Sequence, residues 1–128
     1  EIARQGNTGT AFWYRFKNDK LGAVSRSLST KHLPAESAQG NAVQTYNELR
    51  GNFDFVRQEE ILRTTGASTF QVSAQLWEDK SRGLNIYFVA SSQENTVIIF
   101  KPEDFGSTDF FVPINKRNEL LPKNWTGR

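Results

Sequence analysis

The chain has 128 residues, of which 37% are hydrophobic and 23% are charged, values that are typical of one folded globular domain. No cysteine occurs, which excludes disulfide bonds, Cys-ligated zinc and thiol catalysis. The formal net charge of +2 is smaller than the clustered excess that a dedicated nucleic-acid-binding domain usually carries. We therefore expect a single α+β domain over residues 1–128, in which residues 115–128 form a polar, basic C-terminal tail.

The start of the sequence bears on localisation. The first residue is Glu1 and no methionine occurs, so we interpret the chain as a trimmed product, which favours an extracytoplasmic or secreted location. Apolar runs such as 97–100 and 110–112 are far shorter than the roughly 20 residues that a membrane-spanning helix needs. We expect no transmembrane segment.

Apolar side chains in the first 50 residues recur at helical spacing. The pattern predicts a helix over 12–16, a break and new N-cap at 18–19, and a second helix over 21–28. A third helix is predicted over 41–50, with Gly51 as its left-handed C-terminal stop. The N-terminal part of the domain is therefore predicted to be helical.

The remainder of the chain changes to the two-residue period of β-strands. Alternating apolar and polar residues predict strands over 70–76 and 84–90, and less regular patterns predict strands over 53–64 and 108–114. Residues 97–100 are all apolar, as expected of a central strand that is covered on both faces. Helices followed by strands predict N-terminal helices packed on a curved, mainly antiparallel sheet.

The stretch from residue 11 to residue 100 resembles the NTF2-like superfamily of cone-shaped α+β proteins, which are cystatin-like in layout. The resemblance is carried by Phe12-Trp13-Tyr14-Arg15-Phe16-Lys17-Asn18-Asp19, by the helix 41–50 ending at Gly51, and by the strands 70–76 and 84–90. It implies a pocket between helices and sheet. It implies no particular reaction, because members include isomerases, dehydratases, transport factors and secretion-system subunits.

Two residues are candidates for acid–base catalysis in a small hydrolase or isomerase. His32 is the only histidine, so paired-histidine chemistry and histidine-rich metal sites are excluded. Asp54 stands where the sheet is expected to begin, where burial at a pocket mouth would raise its pKa and make it a base. The common alternative is that both are ordinary solvent-exposed residues, and no metal or cofactor motif accompanies them.

Aromatic residues are the candidates for binding. Side chains that combine a ring with a polar atom are frequent at interfaces and pocket rims. Members of the aromatic set can equally fill the core. The predicted binding residues are Trp13, Tyr14, Tyr46, Trp77 and Tyr87.

These observations favour a non-catalytic binding or assembly module that uses the concave sheet face and its aromatic rim. We expect a protein partner or self-association, or a small apolar ligand, and no cofactor. The pocket enzyme that uses His32 or Asp54 is the first alternative. Weak nucleic-acid binding is the second, although acidic residues interrupt every basic run along the predicted strands.

Overall fold

The computed structural model describes residues 2–5, 10–65 and 68–113, and the predicted tail over 115–128 lies outside these ranges. The described residues form eight β-strands, one α-helix and one short 3₁₀ turn. In chain order they are β1 (Ile2–Gln5), β2 (Thr10–Lys17), β3 (Lys20–Ser29), α1 (Ala35–Asn52), β4 (Asp54–Thr65), β5 (Ser68–Asp79), β6 (Leu84–Ala90), β7 (Glu94–Phe100), the 3₁₀ turn (Ser107–Asp109) and β8 (Val112–Pro113).

All eight strands belong to one sheet with the order β1-β2-β3-β7-β6-β5-β4-β8, and every neighbouring pair is antiparallel. Strands β4 to β7 form a meander of sequential neighbours. The N-terminal strands β1 to β3 join this meander through β3 and β7, where Ala23 pairs with Phe100 and Ser29 pairs with Glu94. Helix α1 is the connection between the two groups of strands.

The prediction of N-terminal helices packed on the sheet is wrong, because residues 10–29 form the β2–β3 hairpin. Asn18 and Asp19, predicted to be a helix N-cap, form its turn with φ of 53° and 64°. Positive φ at both central residues is typical of the two-residue turns whose twist matches that of paired strands. Asn and Asp tolerate this conformation better than most residues, so the sequence favours a hairpin at this point.

The predicted third helix exists but is longer than expected. It begins after Pro34, whose extended backbone (φ −56°, ψ 149°) suits the residue preceding a helix, and Glu36 places a negative charge in the first turn. It continues through Gly51 and Asn52 to the extended Phe53. Gly51 is therefore inside the helix, and the predicted left-handed stop is not formed.

Helix α1 covers one face of the meander. Leu49 packs there against Trp77, Ile86 and Phe88, all of which are at most 5% exposed. Burying a large apolar side chain stabilises a fold by about 1.5–3 kcal/mol, so this cluster is the main attachment of the helix. We call this side of the sheet the helix face.

The C-terminal segment covers the opposite face. Tyr87 is 1% exposed between the rings of Phe100, stacked at 5.5 Å, and Phe111, edge-on at 4.9 Å. Phe105 packs directly over Gly22, where an added Cβ would come within 2.5 Å of the ring. Because both faces of β6 are covered, neither face is open at this strand.

The turns also follow from the sequence. Between β5 and β6, the Asp79 carboxylate accepts hydrogen bonds from the Ser81 hydroxyl (2.7 Å) and the Arg82 backbone N–H (3.3 Å). Gly83 completes that turn with φ of +66°, a conformation that favours glycine. Among the described residues, no helix is both long enough and apolar enough to cross a membrane.

Candidate functional site

A groove runs along helix α1 on the helix face, where the helix leaves β2 and β3 partly uncovered. Its apolar end has a volume of about 420 Å³. The walls come from the helix and from four strands, and most are aliphatic or aromatic. The lining residues are Phe12, Val24, Arg26, Thr45, Glu48, Leu49, Asn52, Phe53, Ile86, Val97 and Ile99.

A polar cavity of about 210 Å³ adjoins this apolar end. The two cavities share Arg26, Thr45 and Glu48 in their walls, so they lie next to each other along the helix. The polar end is lined by Thr10, Arg26, Leu28, Asn41, Gln44, Thr45, Glu48 and Asn95. We call the combined space the helix groove.

Strand pairing explains why these side chains meet. Alternate residues of a strand point to the same face, so Asn95, Val97 and Ile99 of β7 all lie on the helix face. Val24 pairs with Ile99 and Arg26 pairs with Val97, which continues this face onto β3. The apolar end therefore lies over Val97 and Ile99, and the polar end lies over Asn95.

A hydrogen-bond chain links the helix to the sheet at the polar end. The Thr45 hydroxyl donates to the Asn41 carbonyl oxygen (3.0 Å), and Asn95 Nδ2 donates to Thr45 Oγ1 (3.1 Å). Thr45 is 6% exposed and Asn95 is 4% exposed. A buried polar bridge of this kind fixes the helix position above β7 more specifically than apolar contacts do.

The opposite face has a different cavity, of about 270 Å³, beneath the C-terminal segment. Its polar wall is held by protein contacts: Arg63 donates two hydrogen bonds to Glu94 (2.9 and 2.6 Å), and the Thr96 hydroxyl donates to the same carboxylate (2.6 Å). Although burial acts to raise the pKa of Glu94, these hydrogen bonds hold it below its ordinary value. This network joins β4 to β7 and is structural in character.

Arg15 has a similar structural role beside that cavity. Its guanidinium lies 5.5 Å from the ring centres of both Phe105 and Phe110 and donates to the Asp109 carbonyl oxygen (2.7 Å). These contacts hold the C-terminal segment against β2. Arg15, Arg63 and Thr96, which line the cavity on this face, therefore already have hydrogen-bond partners within the protein.

The two predicted acid–base residues do not come together in a cavity. His32 is exposed in the turn before α1, and Asp54 is exposed at the first position of β4. Lys31 and Leu33 line an open cleft of about 460 Å³ at the start of α1, but His32 between them is not part of its wall. These placements give the hydrolase or isomerase alternative no buried acid–base group from either residue.

Two of the predicted binding residues are in the core. Trp77 is 2% exposed, packed edge-on against Tyr46 (5.8 Å) and Phe55 (5.3 Å), and its Nε1 donates to the Gln75 side chain (3.2 Å). Tyr87 is 1% exposed on the opposite face. The expectation that both residues lie on an exposed rim is wrong. Successive residues of β5 and β6 point to opposite faces of the sheet, and both faces are covered at these two positions.

Tyr87 is held by a specific polar contact within the core. Its hydroxyl donates to Glu59 Oε1 (3.0 Å), and burial raises the pKa of the phenol. Glu59 also receives a hydrogen bond from Arg57 (2.9 Å). A buried tyrosine usually needs such a partner, so these contacts account for its polar atom without a ligand.

The other three predicted binding residues reach the surface at different places. Trp13 is 41% exposed and lines the cavity on the face opposite the helix. Tyr14 is half-buried and alternates with Trp13, so it lies on the helix face. Tyr46 is 37% exposed on α1, beneath the Arg50 guanidinium (5.7 Å). The five residues do not form one surface, and binding of a protein partner or self-association stays a prediction.

Sequence patterns did not predict the helix groove. The polar residues 91–95 predict a turn, and Phe12 and Val24 belong to segments that were predicted to be helical, so the pattern places none of these three residues on the sheet. Val97 and Ile99 were correctly predicted to lie on a strand, but the prediction that this strand is covered on both faces is wrong, because Ile99 is exposed. In residues 2–5, 10–65 and 68–113, no group of three or more acidic or histidine side chains could hold a metal ion.

No family model, curated protein or solved structure matches this chain. These comparisons neither support nor exclude the resemblance to the NTF2-like superfamily, which stays a hypothesis. The segment 12–19 that contributed to it forms strand β2 and its turn. A proposal about the function of this chain therefore rests on its fold and its cavities.

Proposed function

We propose that this protein is a non-catalytic binding domain that holds a small, largely apolar molecule in the helix groove. The observation that carries the proposal is the apolar end of about 420 Å³, which has partly exposed aliphatic walls. Pockets for small molecules usually measure about 300–1,000 Å³ and have mainly apolar walls with a few polar groups.

The exposure of the groove wall supports this proposal. Ile99 is 38% exposed and Val97 is only partly buried, although both belong to a strand near the centre of the sheet. Covering such surface gains about 25 cal/mol for each Å² of apolar area removed from water. A ligand seated against Ile99, Val24 and Phe12 would complete the cover that α1 provides over β6.

The comparison between the two sides of the sheet also favours the helix groove. On the opposite face, Arg63 and Arg15 are satisfied by Glu94 and by the Asp109 carbonyl group. On the helix face, the apolar wall ends at Asn95, a polar residue buried beside the cavity. Mainly apolar walls with a few polar groups are the usual composition of a ligand site.

The proposal is tested by titrating the ¹⁵N-labelled protein with 4-hexylphenol and following backbone amide shifts by NMR. Ile99→Lys places a charge in the apolar end at a position that is already 38% exposed. The matched control, Val43→Lys, makes the same type of change on the outer side of α1, where Val43 is 52% exposed.

We expect shifts around β7 and the C-terminal half of α1 in the wild type and in Val43→Lys. Affinity should fall at least tenfold in Ile99→Lys, because a buried ammonium group opposes an apolar ligand. An absence of saturable shifts in the wild type, or shifts confined to the opposite face, would contradict the proposal.

A further inference from the structure

The polar end of the helix groove contains a buried hydrogen-bond acceptor, the side-chain oxygen of Asn95. Within residues 2–5, 10–65 and 68–113, no donor reaches Asn95 Oδ1, although this atom is buried and Asn95 is only 4% exposed. Most buried polar atoms have a hydrogen-bond partner, and an exception calls for an explanation. Asn95 belongs to the wall of the polar cavity, so a ligand in that cavity is a candidate partner for this atom.

The hydrogen-bond chain fixes which atom of the amide is left over. A threonine hydroxyl has a single proton, and Thr45 donates it to the Asn41 carbonyl oxygen (3.0 Å). Thr45 Oγ1 can then only accept, so Asn95 must present Nδ2 to it (3.1 Å). The amide oxygen is therefore the group that remains for another donor.

We infer that Asn95 Oδ1 is the polar anchor of the helix groove and selects ligands with a hydrogen-bond donor at one end of an apolar body. This inference rests on the proposed function. The ligand class is an amphipathic molecule with a hydroxyl or N–H group, whose donor reaches the polar end while its apolar part lies over Val97 and Ile99.

The rest of the polar end agrees with this chemistry. Thr45 is held on both sides, so it positions the Asn95 amide and does not compete for the ligand donor. The wall that both ends share adds a second acceptor, the Glu48 carboxylate, and one donor group, the Arg26 guanidinium. A ligand with an acceptor only would leave Asn95 Oδ1 without a donor, and a site with an unpaired buried acceptor disfavours such a ligand.

The test compares two probes of nearly equal shape, 4-hexylphenol and 4-hexylanisole, which differ in whether the oxygen can donate a hydrogen bond. We expect the wild type to bind the phenol about tenfold more tightly than the anisole, the effect of about one net hydrogen bond. In Asn95→Leu the ratio should fall to about one. The matched control, Asn85→Leu, changes a partly exposed asparagine on β6 outside the groove and should keep the tenfold preference.

The outcomes separate this inference from the proposed function. If neither probe binds the wild type, the proposed function fails. If both bind in the groove with equal affinity, or the anisole binds more tightly, the proposed function stands and the role of Asn95 Oδ1 is overturned. A preference for the phenol that persists in Asn95→Leu would also overturn it, because the cause would then be another acceptor such as Glu48, or the size of the methyl group.

A spectroscopic readout covers the case in which Asn95→Leu does not fold. The side-chain carbonyl ¹³C resonance of Asn95 in the wild type reports directly on hydrogen bonding to Oδ1. We expect it to shift on saturation with the phenol and to move much less with the anisole. Equal movement with both probes would overturn the inference.

Discussion

The bridge between Thr45 and Asn95 leads to a prediction about stability. Thr45→Val keeps the shape of the side chain and a similar helix propensity but removes the acceptor of the Asn95 Nδ2 donor. Both residues are buried, at 6% and 4% exposure, so water cannot readily replace the lost bond. A buried donor without a partner costs about 1–3 kcal/mol, so we expect the free energy of unfolding to fall by about 2 kcal/mol.

Asn95→Leu should behave differently although it removes the same hydrogen bond. It deletes the whole amide, including the oxygen to which no described residue donates, while Thr45 keeps its bond to Asn41. Replacing a poorly satisfied polar group by an apolar one is often neutral or stabilising. We expect the free energy of unfolding of Asn95→Leu to stay within about 0.5 kcal/mol of the wild type. The double variant Thr45→Val/Asn95→Leu should be as stable as Asn95→Leu alone, so the two substitutions should show a coupling energy of about 2 kcal/mol.

Urea denaturation followed by tryptophan fluorescence measures these differences, since Trp77 lies in the cluster beneath α1. With a denaturant slope of about 1.5 kcal/mol per molar, a loss of 2 kcal/mol lowers the midpoint by about 1.3 M. If Asn95→Leu loses as much stability as Thr45→Val, the amide oxygen is satisfied by the fold and the reasoning about the polar end is refuted.

Two further predictions concern the opposite face. Gly22→Ala would bring a Cβ within 2.5 Å of the Phe105 ring. We expect the free energy of unfolding, measured by heat or urea, to fall by about 1–3 kcal/mol. Unchanged stability would mean that the ring moves aside freely. Arg63→Met removes both hydrogen bonds to Glu94 and should cost about 2–3 kcal/mol at neutral pH. Because the folded-state pKa of Glu94 is lowered, its contribution is present above the ordinary glutamate pKa and is lost as the pH falls through the lowered value. Urea midpoints measured across acidic pH should therefore fall less steeply in the variant, and an unchanged slope would contradict this assignment.

Sequence patterns predicted the strands β5 to β7 better than the elements between residues 10 and 29. Strands expected over 70–76, 84–90 and 97–100 lie within β5, β6 and β7, because a two-residue alternation or a short apolar run is a direct consequence of strand geometry. The helix over 41–50 lies within α1. These segments have patterns that only one regular structure fits.

The β2–β3 hairpin was misread because apolar side chains of a strand can lie on both faces. Phe12 lies on the helix face and Trp13 on the other, so the two-residue period is lost and the spacing to Phe16 looks helical. The informative signal was Asn18-Asp19, two residues that suit a tight hairpin turn, and they were interpreted as a helix cap. Local patterns did not resolve this choice, because β3 pairs not only with β2 but also with β7, which is far along the chain.

The candidate site was even less predictable. Its walls combine β2 and β3 with α1, β6 and β7, so they meet only once the sheet order is known. Asn95 reads as a turn residue in the sequence, and nothing local indicates that Thr45 will approach it. Trp77 and Tyr87 were favoured for their polar atoms, but Gln75 and Glu59 satisfy those atoms inside the fold.

The pairing of β3 with β7 also has a consequence for the order of folding. The β4–β7 meander contains only pairings between sequential strands, which form quickly because little chain must be closed. The β2–β3 hairpin is synthesised first, but its hydrogen-bonding partner β7 leaves the ribosome only after α1 and three further strands. We expect the edge of β3 to stay unpaired throughout this interval, which makes it the segment of a nascent chain most in need of protection from aggregation.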